Sequence, residues 1–384
     1  MSAPSPASVP AVGQIPAGVV SLADYEAHAR ERLDANAWAY FSGGAADEIT
    51  LRANREAWDG LRLRPRVLRD LAGGHTRVEL LGRTLAHPLL LAPIAHQRLA
   101  HPDGELASPY AAAAQEADLV LSIQSSVRLE DVAHAVAAEP QRGPLWLQMY
   151  VQHDRGFTRE LAQRAEAAGY EALIVTVDAP TSGARDRERR AGFRLPPGLS
   201  AVNLHGPPPA PERPIAPGGS ALFDGLLHHA PTWRDIEWLQ GETRLPVLLK
   251  GVLHEDDAAQ AVSLGVAGLV VSNHGGRTLD TAVSTAWTLP RIADRVAGAV
   301  PLLVDGGIRR GTDVLKAAAL GARAVLVGRP YVHALAVAGA LGVAHVLRLL
   351  RDELEIAMAL TGCATLAAAS RELLAAPLSN PAER

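Results

Sequence analysis

Eight short apolar runs, each bounded by turn residues, constrain this chain more than any other feature. They are Leu89–Pro93, Leu119–Gln124, Leu145–Tyr150, Ala172–Asp178, Pro246–Gly251, Gly268–His274, Pro301–Gly306 and Ala324–Arg329. Each has the length of a strand buried on both faces, the pattern a parallel sheet writes into sequence. Helix-like stretches rich in Ala, Glu and Arg separate them, at Glu105–Ala117, Leu129–Ala138, Thr158–Ala168, Asp256–Leu264 and Asp313–Leu320. Such alternation implies βαβ units. Eight of them, starting mostly 22 to 33 residues apart, predict an α/β fold of the (β/α)8 barrel type rather than an open doubly wound sheet. The barrel core is expected at about residues 89–350, inside one domain spanning 19–375.

The remaining segments read as additions to that barrel. The one long gap between runs, after the fourth, holds Leu195–Pro217, rich in proline and glycine. It reads as an excursion loop and a candidate lid, since long irregular loops in compact domains are usually functional or disordered. The first 88 residues read as a helical prelude, with Ser21 and Asp24 as the N-cap pair of a helix through Leu33. Gly342–Leu360 reads as an amphipathic helix that closes the barrel, and residues 1–18, rich in Pro, Ala and Ser, as a disordered leader.

Composition narrows the function classes. A hydrophobic fraction of 48% with 20% charged residues supports a large core and excludes disorder of the whole chain. With 37 basic against 41 acidic residues and 4% aromatics, nothing favours nucleic acid as a partner. One cysteine, Cys363, excludes an intrachain disulfide framework and a cysteine-rich zinc site, so no metal is expected. It also fits a reducing, cytoplasmic setting. No membrane span is expected either: Ala334–Leu347 is broken by Gly339, Gly342 and His345 and followed by Arg348, short of the roughly 20 apolar residues a span needs. The N-terminus lacks the basic start and compact apolar stretch of a signal peptide.

Polar residues gather at the C-terminal ends of the runs: Ser122 and Gln124, Gln148 and Tyr150, Thr176 and Asp178, Lys250, Ser272 and His274, Asp305, and Arg329. Barrels of this type carry their active sites on that face, and buried polar groups need partners or a ligand. Asp305-Gly306-Gly307-Ile308-Arg309 ends the seventh run and Gly328-Arg329-Pro330 the eighth. Loops there commonly hold a phosphate, with glycine N–H groups and paired arginines around it; the plain alternative is two glycine turns. His274 followed by Arg277 pairs a base with a carboxylate-binding cation, or else marks a core histidine and a surface arginine. Asp178 is placed to orient His274. Lys250 reads either as a Schiff-base lysine or as a fixed positive charge beside a cofactor. There is no GxGxxG, no P-loop and no HExxH.

Together these residues resemble the FMN-dependent α-hydroxy acid oxidases and dehydrogenases, the group of the glycolate, lactate and hydroxymandelate oxidases, from about Ser21 to Ser370. The strongest match is Ser272-Asn273-His274-Gly275-Gly276-Arg277-Thr278-Leu279-Asp280. Tyr40-Phe41-Ser42-Gly43-Gly44, Leu91-Ala92-Pro93-Ile94-Ala95, Thr176-Val177-Asp178 and Asp305-Gly306-Gly307-Ile308-Arg309-Arg310-Gly311 follow the family pattern too.

The resemblance implies roles. His274 is the expected base and Asp178 its partner. Arg277 and Arg185 grip a substrate carboxylate; Tyr25 and Tyr150 contact the carboxylate and the substrate hydroxyl. Lys250 sits at the flavin N1/O2 edge. Pro93, Ile94, Ala95, Ser122, Gln148, Thr176 and Ser272 line the flavin ring and ribityl chain. Asp305, Gly306, Gly307, Ile308, Arg309, Gly328 and Arg329 hold the ribityl and phosphate groups. The implied reaction is oxidation of an L-2-hydroxy acid, lactate-like or mandelate-like, to the 2-oxo acid, with FMN as cofactor and O2 as acceptor giving H2O2. A soluble dehydrogenase using another acceptor is the alternative. A homotetramer is implied as well.

The pattern departs from glycolate oxidases at Gln124, where an aromatic residue is often found, and at His96, where they carry an apolar one. Since lining residues set specificity, a plain glycolate pocket is not expected. Thr181–Arg187 looks closer to lactate oxidases and Pro93–Glu105 to hydroxymandelate oxidases. The loop after the fourth run lacks the apolar, basic face of membrane-bound relatives, and a preceding haem domain is not expected. Rival readings are a Schiff-base aldolase using Lys250, another FMN barrel such as a type 2 isopentenyl diphosphate isomerase or an inosine monophosphate dehydrogenase-like enzyme, and a degenerate barrel acting as a scaffold. The dehydrogenase-like rival needs a barrel cysteine, and Cys363 lies beyond the last run.

Overall fold

A computed structural model describes residues 13–206, 215 and 217–375. Three helices open the described chain: α1 (Leu22–Arg32), α2 (Ala35–Ser42) and α3 (Ile49–Gly60). Ser21 caps α1 in a capping box with Asp24, as the sequence predicts. A two-stranded antiparallel hairpin follows, β1 (Val78–Leu80) with β2 (Arg83–Leu85). This hairpin departs from the all-helical reading of that segment. Its three-residue strands, Val-Glu-Leu and Arg-Thr-Leu, are too short and polar to show a strand period.

The eight apolar runs are the strands of a closed barrel: β3 (Leu89–Leu91), β4 (Asp118–Ser122), β5 (Leu145–Met149), β6 (Ala172–Thr176), β7 (Val247–Val252), β8 (Gly268–Val271), β9 (Leu302–Val304) and β10 (Ala324–Val327). Neighbours pair in parallel, and β10 pairs back onto β3. All their residues except Gly251 are buried, because helices cover the outside and side chains fill the inside. The helices are α4 (Ala107–Ala114), α5 (Leu129–Val136), α6 (Arg155–Ala167), α7 (Asp186–Ala191), α8 (Trp233–Glu242), α9 (Glu255–Ser263), α10 (Thr285–Val296), α11 (Gly311–Ala319) and α12 (Arg329–Thr361).

α12 is two helical segments joined at a kink: the second matches the helix expected at Gly342–Leu360, and the first, before the kink, is not expected from the sequence. It begins directly after β10 and bends at Ala338 and Gly339, where the backbone leaves helical geometry. Gly339, at φ 57, ends the first segment, and the second begins beyond it. An 18-residue window of α12 has mean hydropathy 1.6, long and apolar enough to cross a membrane, yet 67% of it is buried within the fold. It packs against α1, α4 and α11.

Two expected features fall partly outside the described residues. Of the leader, residues 1–12 lie outside them, while Ile15 packs on the core. Of the loop 195–217, residues 207–214 and 216 lie outside. Its first part is anchored: buried Asn203 accepts from Leu129 N at 2.9 Å and donates to Val127 O at 3.1 Å.

Candidate active site

All eight barrel strands send residues into one cleft at their C-terminal ends. It measures about 1020 Å³ including its open mouth, within the range that holds a cofactor plus a small substrate. The lining includes Tyr40 and Phe41 from α2, Ala92–Ala95 after β3, and Gln124 after β4. Arg185 enters it from the N-terminus of α7.

One wall is a polar ladder. Ser122 donates to Gln148 Oε1 at 3.1 Å, and Gln148 Nε2 donates to Thr176 Oγ1 at 3.0 Å. Parallel pairing sets Ser122 beside Gln148, and Thr176 lies two residues beyond Ile174, the partner of Gln148, on the same face of β6. On the next strand Lys250 Nζ lies 3.0 Å from Asp305 Oδ2 and donates to Ser272 Oγ at 2.9 Å. Burial pulls the Lys250 ammonium down, but Asp305 and Asp178 outweigh it and hold it above the ordinary lysine value. A Schiff-base nucleophile needs a neutral amine. Lys250 is therefore a fixed cation, which removes the aldolase reading.

His274 follows β8 with left-handed backbone, φ 57. A non-glycine residue held there marks local strain that surrounding structure must enforce. Its N–H donates to Ser272 Oγ at 3.0 Å, and Nδ1 faces Asp178 Oδ1 at 2.9 Å. A carboxylate only accepts, so Nδ1 carries the proton and the lone pair sits on Nε2. Burial pulls the His274 imidazole below the ordinary value, against the Asp178 hydrogen bond. Asp178 is pushed up by burial, yet His274 and Lys250 outweigh this and keep it ionised. The product is a neutral imidazole with an oriented proton-accepting nitrogen.

Asp178 reaches His274 because residue 251 is glycine. Gly251 has φ 108, and a Cβ there would lie 2.5 Å from Asp178 Cβ. It also sits at a register shift where β7 pairs with β8, between Lys250 and Val252, a bulge of the kind found beside active sites.

Arg277 and Arg185 share one carboxylate. Arg277 donates to Glu188 Oε1 at 2.9 Å, and an Arg185 nitrogen lies 3.6 Å from the same oxygen. Arg277 also stacks on Tyr40, with its guanidinium carbon 5.1 Å from the ring centroid. Arg185 Nε is buried with no partner. Burial pushes the hydroxyls of Tyr40 and Tyr150 up, so both stay protonated donors.

At the far end, Gly306 and Gly307 hold φ 88 and 87, a conformation that suits glycine. Arg309 and Arg329 line the cleft beside them. Neither forms an ion pair among the described residues. Burial, with Arg277 and Arg309 nearby, pulls Arg329 down to about 9, the direction expected of a buried cation with no anion beside it. Asp305 Oδ1 is buried with no partner, a free acceptor for a ligand hydroxyl. Paired unneutralised arginines, a glycine turn, a free acceptor and a cationic lysine beside a polar ladder are the donor set that FMN requires. Across the cleft Arg185, Arg277, Lys250, Arg309 and Arg329 face Asp178, Glu188 and Asp305, an excess of positive charge suited to an anionic cofactor with an anionic substrate.

The structure brings together most of the sequence-derived site and relocates three members. Tyr25 does not join the cleft: it is buried on α1 and bonded to His345 on α12 at 2.8 Å. Tyr40, part of a matching motif with no role assigned, takes the expected place beside Arg277. Ser272 and Asp178 lie beneath the lining and hold Lys250 and His274. Glu188 was missed. Its only signal was an acid three residues after Arg185, a spacing that also reads as a surface helix pair.

Comparison with known proteins agrees with this geometry. Residues 29–376 match the family described as FMN-dependent dehydrogenase. An L-lactate oxidase of Alicycliphilus denitrificans is 50% identical over 94% of this chain and 98% of its own. Glycolate oxidase 1 of Zea mays is 42% identical over 92% and 95%. A crystal structure of mandelate oxidase with (S)-2-phenylpropionate superposes with TM-score 0.83 at 43% identity, covering 93% of this chain and 98% of that one. A mandelate oxidase variant with a C4a-OH-FMN adduct superposes with TM-score 0.81. The protein is an FMN-dependent oxidoreductase on a (β/α)8 barrel, a member of the FMN-dependent dehydrogenase family.

Proposed function

We propose that this enzyme oxidises an L-2-hydroxy acid to the corresponding 2-oxo acid and passes the electrons to O2, yielding H2O2. The observation that carries the reading is the oriented His274–Asp178 pair, 2.9 Å apart, in the same cleft as Arg185 and Arg277. The oxidase names of the relatives support O2 as the acceptor.

Arg277 and Arg185 bind the substrate carboxylate, with Glu188 keeping the two guanidinium groups together in its absence. Tyr40 and Tyr150 remain protonated and donate to the carboxylate and the substrate oxygen. His274 Nε2 removes the hydroxyl proton as the α-hydrogen departs. Asp178 stabilises the resulting imidazolium and fixes its orientation. FMN, when bound, accepts the two electrons and the α-hydrogen. Lys250 supplies a fixed positive charge at the ladder wall, preorganised for negative charge developing on the cofactor. Arg309 and Arg329 would hold the cofactor's phosphate.

The test is an anaerobic absorbance spectrum of the holoenzyme with a panel of L-2-hydroxy acids. Bleaching that reverses in air supports the reading, bleaching that persists in air points to another acceptor, and no bleaching with any acid refutes it. His274→Gln is expected to retain flavin and lose about 100- to 10,000-fold in kcat; a rate near wild type sinks the assignment of the base. The homotetramer and the cytoplasmic setting rest on the family resemblance and on the single buried Cys363. Light scattering of the purified holoenzyme and fractionation of the source cells test them.

A further inference from the structure

Three polar residues lining the cleft have side chains that form no hydrogen bond or ion pair at all among the described residues: Tyr40, Tyr150 and Gln124. The first two serve the carboxylate and the reacting oxygen in the reading above. Gln124 is left over. Its backbone is fixed, since its N–H donates to Ser122 Oγ at 3.2 Å and its carbonyl accepts from His96 N at 3.3 Å. Its amide is free.

His96 stands directly behind it. The residue is 8% exposed, holds left-handed backbone at φ 55, and has Nδ1 buried with no partner. Its ring lies 6.1 Å from that of Tyr40, tilted by 53°. Thus His96 packs between the residue at the carboxylate end and the residue with the free amide. An apolar side chain satisfies such a position at no polar cost. A buried imidazole with an idle nitrogen does not.

We propose that Gln124, positioned by His96 packed beneath the cleft lining, forms a specificity wall that selects a 2-hydroxy acid whose side chain carries a hydroxyl group. This rests on the 2-hydroxy acid reading. The Gln124 amide offers both donor and acceptor. A hydroxyl complements both. A second carboxylate on the substrate does not suit this wall, because neither Gln124 nor His96 carries a compensating positive charge. An alkyl or plain aryl side chain leaves the amide desolvated and unpaired, and sites built to hydrogen-bond a substrate hydroxyl discriminate against analogues lacking it.

The experiment uses holoenzyme and matched substrates: L-glycerate against L-lactate for a short side chain, and (S)-4-hydroxymandelate against (S)-mandelate for a long one. The hydroxylated member is expected to exceed its partner in kcat/KM by about tenfold or more in at least one pair. Gln124→Met, close in volume, is expected to erase or invert that ratio. His96→Asn, which tolerates left-handed backbone, is expected to lower it. Flavin content and melting temperature confirm that each variant is folded, and where one is not, the other decides. Equal or lower kcat/KM for the hydroxylated member of both pairs overturns the proposal, as does a ratio that moves in neither folded variant. Failure of every acid to bleach the flavin refutes the underlying function instead.

Discussion

Gly251→Ala isolates how the base is positioned without touching any group that meets substrate. The added Cβ lies 2.5 Å from Asp178 Cβ, 2.6 Å from Cγ and 3.0 Å from the Asp178 backbone nitrogen, where ordinary contact begins at 3.4 Å. Asp178 must therefore retreat by about 0.9 Å, the difference between 3.4 and 2.5 Å. Misplacement on the order of 1 Å in an active site costs about 100-fold in rate. Retreat stretches the 2.9 Å bond to His274 and frees the imidazole to change tautomer. Stability falls as well: about 1–3 kcal/mol for a side chain at φ 108 and about 1–3 kcal/mol for overpacking. That total lies at or below the stability of typical domains, so folded protein is expected. The assay is flavin content, melting temperature and kcat, measured in wild type, G251A, D178N and the double variant. If Gly251 acts through Asp178, adding G251A to D178N changes kcat by less than about threefold. A folded, flavin-loaded G251A enzyme with kcat within threefold of wild type refutes the reasoning. So does full additivity in the double variant.

Two further outcomes follow from the charges around the cleft. Arg309→Met is expected to raise the FMN dissociation constant by about 10- to 100-fold, the loss of one charge-assisted contact. Flavin fluorescence on dilution reads it, and unchanged affinity refutes the phosphate assignment of that end. His333 is buried against Trp38, bonded to Ser42 Oγ at 3.3 Å, and pulled down to about 3 by burial and by Arg309 and Arg329. Its folded pKa lies below the ordinary value of 6.5, so the unfolded chain takes the proton first. The stability it contributes is complete above about pH 6.5 and falls as pH drops toward about 3, by roughly 2 kcal/mol at pH 5. His333→Gln is expected to flatten the melting temperature between pH 7 and 4.5. Parallel curves for variant and wild type refute this.

The parts that were legible in the sequence share a physical cause. Parallel strands buried on both faces must be apolar along their length, so eight runs declare themselves, and the polar residues at the ends of seven of them mark the face that binds. Glycine turns and paired arginines declare an anion end for similar reasons. What stayed hidden depends on orientation. Tyr25 and Tyr40 both lie on short helices before the barrel, and nothing local says which helix face meets the cleft; only the packing of α1 along α12 sends Tyr25 to His345. Ser272 and Asp178 end strands like their neighbours, yet sit one layer below the lining. The hairpin Val78–Leu85 gave no signal because strands of three residues, one of them exposed at two successive positions, leave no period to read.

Closure of the barrel carries a consequence for how this protein is made. The first barrel strand, β3, finds a partner in the last, β10, which lies more than two hundred residues later in the sequence. The cleft takes residues from every strand and from α2 ahead of them. A partly synthesised or partly folded chain therefore has walls but no vessel, and ordering across so long a separation is slow. Flavin retained by the protein after gel filtration reports completion of the ring itself. Its appearance during refolding is a clock for the last strand, and its loss under denaturant an early signal that the ring has opened.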